Sequence, residues 1–145
     1  MGDRIKKGKA KAKDRKYIKE SYNSEKDYRS EHLTFSLKYL DLNDSDFCVN
    51  DCHTKYFIAL LARIGELSRY IVCEFKENYK KALRNHEIKW EDVTRDCFGI
   101  PNEVQIVDKP WQFGVSANEN GRVIGFFIDN VFYVRWLDYN HNLYD

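Results

Sequence analysis

The chain has 145 residues, 43% of them hydrophobic and 15% aromatic, and a formal net charge of +1. That length suits one domain that buries most of its apolar surface without disulfide or metal staples, and the composition excludes a chain disordered throughout. No apolar run reaches the roughly eighteen residues that span a bilayer, and no apolar core follows the N-terminal charges as in a secretory signal, so the expectation is a cytoplasmic protein without membrane contact.

The small net charge hides an asymmetry. Residues 1 to 20 carry nine Lys and Arg against three acids, a net of +6, while the remainder is net −5. Residues 1–23 read as a basic, disordered tail, and 24–145 as a single domain. Lys6, Lys7, Lys9, Lys11, Lys13, Arg15 and Lys16 are the candidate contacts to nucleic acid, RNA ahead of DNA. Each would add salt-sensitive affinity without sequence information. The same lysines equally suit a solubilising tail.

Residues 33–40 alternate apolar and polar, with Leu33, Phe35, Leu37 and Tyr39 on one face, and predict a half-buried strand. A polar connection from Asp41 to Asp51 follows, with a helix N-cap offered near its end. Cys48, Cys52 and His53 are the one cluster with ligand-like spacing. A structural zinc site needs a second tight pair, and Cys73 and Cys97 stand apart. The four cysteines therefore read as reduced thiols, with no metal and no cofactor expected.

From Thr54 to about Arg84 the spacing of Phe57, Leu60, Leu61, Ile64, Leu67, Ile71, Phe75 and Tyr79 predicts one long amphipathic helix. Arg63, Glu66 and Arg69 fall on its polar face, and Lys80, Lys81 and Arg84 complement the dipole at its end. Residues 86 to 110 read as irregular, with Ile88 and Trp90 as buried anchors.

Residues 112–138 then predict a three-stranded meander. QFGVSAN, RVIGFFI and VFYVRWL are aromatic and β-branched, and Asn120-Gly121 and Asp129-Asn130 are turn residues that tolerate positive φ. Phe132, Val134 and Trp136 should share one face. The expected fold is α+β: an antiparallel sheet, made of the first strand and the meander, packed on the long helix.

The stretch GRVIGFFIDNVFYVRWLDYNHNLYD, with LTFSLKYLDL upstream, resembles a group of short uncharacterised bacterial and mobile-element proteins. That likeness covers most of the chain after residue 30 and implies no activity. The order of strand, helix and meander, with an arginine opening the middle strand, is similar to the RelE/ParE/HigB-like toxin superfamily. Its members are ribosome-dependent mRNA endonucleases or gyrase poisons, neutralised by an antitoxin. The resemblance implies a site of Arg122, His141 and Tyr144, with Glu103 as the upstream acid.

That set has a coherent chemistry. Attack of a 2′-hydroxyl on the adjacent phosphate needs a base, an acid for the leaving oxygen and a cation for the developing charge. Imidazole serves either proton role, and guanidinium grips phosphate bidentately. The same residues also have ordinary readings: Arg122 paired with Glu119 or Asp138, His141 ordering a C-terminal turn, Tyr144 pinned to the sheet. Two functions are thus carried forward. One is a phage or mobile-element type protein that binds a protein or nucleoprotein partner without catalysis, such as an antitoxin or a host defence protein. The other is a toxin-type endoribonuclease cleaving mRNA.

Overall fold

A computed structural model gives the fold and describes residues 27–116 and 121–144. The lysine tail and the turn residues Asn118–Asn120 lie outside the described residues. Among the described residues five strands form one sheet: β1 (Thr34–Ser36), β2 (His86–Glu87), β3 (Pro110–Gly114), β4 (Arg122–Ile128) and β5 (Val131–Asp138), in the order β1-β5-β4-β3-β2. With the helices α1 (Thr54–Leu67), α2 (Val72–Glu77) and α3 (Glu103–Ile106), they make an α+β architecture. No helix among the described residues is long and apolar enough to cross a membrane.

The β3–β4–β5 meander matches its turn chemistry, with Asp129 at φ 55° in the two-residue connection. The sheet is mixed, however, because β1 pairs parallel to β5, Thr34 opposite Val131 and Ser36 opposite Tyr133. β1 is also shorter than the 33–40 alternation suggests. The Ser36 hydroxyl accepts the Lys38 amide, and the Leu40 amide closes a turn on the Leu37 carbonyl. These local bonds divert the backbone from the ladder and leave Leu37 exposed.

The predicted long helix is two helices. After Ser68 the chain turns, and Tyr70 to Val72 pair with residues 31–33. The Leu33 amide donates to the Tyr70 carbonyl and the Val72 amide to the Glu31 carbonyl, both at 2.9 Å. The Tyr70 carbonyl and Val72 amide, committed to that bridge, cannot also make the i→i−4 bonds of one continuous helix. The helical path then stops at Glu77 rather than Arg84. Buried Asn85 donates to the carbonyls of Phe75 and Asn78 and accepts the Lys80 amide, so the chain closes into a loop over 78–85. Arg63, expected on a polar face, is buried and donates to the carbonyls of Val115 and Ala82. It thereby fastens that loop and the end of β3 to α1.

Both faces of the sheet are covered. Leu60, Leu67, Val72, Phe75, Phe113, Phe132 and Val134 build the core under α1 and α2. Phe47, Ile88, Phe98, Ile100, Ile124, Phe126 and Trp136 build a second core under the connecting segments. Trp136 thus lies on the opposite face from Phe132 and Val134. The register shifts between Ile124 and Gly125: Gly125 pairs with Val134 and Ile124 with Trp136, so Arg135 is an extra residue. Such a bulge inverts the alternation beyond it. The Arg135 side chain donates to the carbonyls of Phe98 and Tyr39, tying two covering loops to the bulge.

Candidate functional site

Beyond β5 the chain doubles back on Asp138. This carboxylate is fully buried and accepts the amides of Asn142 at 2.7 Å and Leu143 at 2.9 Å. His141 takes a left-handed φ of 60° to make the turn, and Leu143 is buried behind it. The Thr94 amide and hydroxyl donate to the carbonyls of Leu143 and Asn142, and the Asn142 side chain donates to the Asp46 carbonyl. The turn is therefore held from two sides, and it presents His141 and Tyr144 with rings stacked, centroids 5.0 Å apart and planes at 27°.

Those two rings form one wall of a cleft of about 350 Å³, within the range of about 300–1,000 Å³ common for ligand sites. Arg122 opens β4 at its floor, and Gln112 of β3 lies alongside. The 78–85 loop and β2 supply the other wall through Tyr79, Lys81, Arg84 and His86. Three cations and two imidazoles line the cleft, and no carboxylate does so among the described residues.

Gln112 joins the two walls. Its side-chain oxygen accepts the Tyr144 hydroxyl at 2.5 Å, and its amide nitrogen donates to the Arg84 carbonyl at 3.4 Å. His86 lies directly opposite Gln112 in the β2–β3 register. Its Nδ1 is 2.8 Å from the Glu87 carbonyl. A carbonyl can only accept, so Nδ1 carries a proton and Nε2 is the nitrogen left for exchange.

The electrostatics follow from this packing. Arg122 is 4% exposed, donates to the Gly121 carbonyl, and lies opposite Asp138 in the strand register. Burial lowers its pKa, and Arg84 nearby lowers it further. Burial raises the Asp138 pKa against the two amides it accepts and against His141 and Arg122. The His141 pKa falls below its usual 6.5, first through burial and then through Arg122, so the ring is neutral at pH 7. Burial pushes the Tyr144 hydroxyl up to about 12. A neutral imidazole, a protonated phenol and a floor guanidinium thus share one cavity.

Arg122, His141 and Tyr144 line the same cleft. Glu103 does not line the cleft. Its carboxylate accepts the amides of Phe98, Gly99 and Ile100, which accounts for its local role. Arg84, Lys81, His86 and Gln112 belong to the cleft although sequence reasoning placed none of them there. The charges at 81 and 84 read as helix-end cations, and only glutamine within an apolar strand hinted at a buried polar contact. Cys48 and Cys97 are exposed free thiols, Cys52 and Cys73 partly buried ones. Among the described residues no group of three or more His, Cys, Asp or Glu suits a metal ion.

Compared with family models, with curated proteins and with solved structures, the chain matches none.

Proposed function

We propose that the cleft binds a phosphodiester of RNA and cleaves it by attack of the adjacent 2′-hydroxyl. The observation that carries this reading is a cavity with three cations, two imidazoles and, among the described residues, no carboxylate, on a chain that is net −5 beyond residue 20. Neutral His141 takes the proton from the 2′-hydroxyl as it attacks phosphorus. Arg122 below and Arg84 at the side face the charge that builds on the phosphoryl oxygens. Lysines 6 to 16 would add sequence-independent grip on the same polyanion.

The test is incubation of the purified protein with single-stranded RNA and its all-deoxy counterpart, beside His141→Asn. Asparagine tolerates the left-handed backbone at 141, so the fold is preserved. Cleavage of RNA alone, lost in His141→Asn with an unchanged melting temperature, is the expected result. No cleavage by the wild type, with RNA bound or unbound, would sink the catalytic reading.

A second reading, binding to a protein partner without catalysis, is favoured by the outer face of α1. Ile58 and Leu61, one turn apart, are 62% and 68% exposed. A partner of antitoxin or host-defence type would cover that pair. Ile58→Lys with Leu61→Lys should then abolish the stable complex while leaving the fold intact.

A further inference from the structure

We propose that His86 is the second proton-transfer residue of the cleft, donating to the 5′-oxygen as it leaves, so that cleavage yields a 2′,3′-cyclic phosphate and a 5′-hydroxyl. This rests on reading the cleft as a phosphodiester site. In the step, the 2′-oxygen forms a bond to phosphorus and passes its proton to His141. The phosphorus–O5′ bond breaks, and O5′ takes the Nε2 proton of His86, which enters the step as imidazolium with both ring nitrogens protonated and leaves it neutral with Nδ1–H still on the Glu87 carbonyl. His141 ends as imidazolium and His86 as neutral imidazole, and proton exchange with water resets both rings.

Four observations assign the role. His86 on β2 and His141 beyond β5 line one cavity and reach it from either side of the β4–β3 pair, the placement an in-line displacement asks of its base and acid. The Glu87 carbonyl fixes Nδ1–H, and the ring exchanges protons only through Nε2. The other candidate acid, Tyr144, already directs its proton to Gln112 at 2.5 Å, and its burial-raised pKa lies far from neutrality. Finally, Gln112 ties the Tyr144 side of the cleft to the Arg84 carbonyl two residues before His86, and pairs with His86 across β2–β3. Gln112 thus links the strand that carries His86 to the Tyr144 ring stacked on His141.

The measurement compares two RNA substrates, one natural and one carrying sulfur at the 5′-bridging position of the scissile phosphate. A thiolate leaves without a proton, so loss of the acid matters only for the oxygen substrate. His86→Asn keeps a donor near the Glu87 carbonyl, and His86→Gln is a second variant should the first melt early. Expected is a loss of about 100-fold or more on the oxygen substrate and near wild-type cleavage of the sulfur substrate, with cyclic phosphate ends in the wild-type products. Equal losses on both substrates, or sulfur rescue of Tyr144→Phe instead, would overturn the assignment while leaving the nuclease reading standing. Wild type inert on both substrates would overturn the two together.

Discussion

Alanine at position 125 tests the bulge on which the second half of β5 depends. An added Cβ would lie 2.0 Å from the Tyr133 carbonyl oxygen and 2.7 Å from Cε1 of Phe132. Ordinary contact is about 3.5 Å, so the Tyr133 peptide must retreat by about 1.5 Å. That movement lengthens adjacent ladder bonds beyond hydrogen-bonding distance. Losing one buried pair costs about 1–3 kcal/mol, and the overpacking adds about 1–3 kcal/mol more. The expected total of about 2–6 kcal/mol corresponds to a fall in melting temperature of roughly 5–20 °C for a chain of this size. Scanning calorimetry of Gly125→Ala beside Gly65→Ala isolates the cause. Gly65 has nothing within 4 Å of its added Cβ and sits inside α1, where alanine gains about 1 kcal/mol. Opposite signs at the two glycines are expected. A Gly125→Ala protein melting within about 2 °C of the wild type would refute the steric reasoning. The bulge also sets the phase that puts Asp138 opposite Arg122, so any folded fraction should bind RNA more weakly.

Further outcomes follow from the same geometry. Glu103→Gln keeps one acceptor for the amides of residues 98–100 and should cost about 1–2 kcal/mol in denaturant titration with cleavage unchanged; a selective loss of cleavage would return Glu103 to the site. The His141 pKa is depressed in the fold by burial and Arg122, with Arg84 acting the same way, Asp138 opposing and Tyr144 stacked on the ring. Its contribution to stability is therefore full above the unfolded value of 6.5 and is lost as pH falls through the lower folded value. Wild type should lose stability relative to His141→Asn as pH falls below the unfolded value of 6.5, and a constant difference would contradict the shift. Deleting residues 1–20 should flatten the salt dependence of RNA affinity, by about 0.7 in log–log slope for each phosphate contact removed; an unaltered slope would leave the cations without a role in binding.

Some of this was open to sequence reading because it depends on near neighbours. The meander announces itself through Asp129-Asn130 and its β-branched strands, and Arg122, His141 and Tyr144 group because they bracket two adjoining strands. What escapes sequence reading is set by single residues acting at a distance. The α1–α2 break depends on pairing between residues 70–72 and 31–33, which hydrophobic spacing cannot register. Trp136 changes face through one extra residue, and the only local trace is glycine at 125. His86 reaches the cleft through a strand of two residues, too short for any periodicity, and Arg84 through a loop closed by the side chain of Asn85.

The acidity of the body does not oppose a polyanion at the cleft, because exposed charges more than about 8–10 Å away are largely screened at physiological salt. What decides the local potential is Lys81, Arg84 and Arg122 against the buried Asp138 carboxylate. That makes Asp138→Asn a decisive substitution, since charge and positioning pull in opposite directions. Removing the carboxylate makes the cleft more positive and should tighten RNA binding if field strength governs function. Yet asparagine has one acceptor oxygen, and its amide group would meet the Leu143 or Asn142 amide as donor against donor. A lost bond to a buried charged acceptor costs about 1.5–3 kcal/mol and frees the turn that holds His141 against Tyr144. The expected result is RNA bound as well as or better than by the wild type and cleaved far more slowly. Cleavage at the wild-type rate would mean that Asp138 does not position His141.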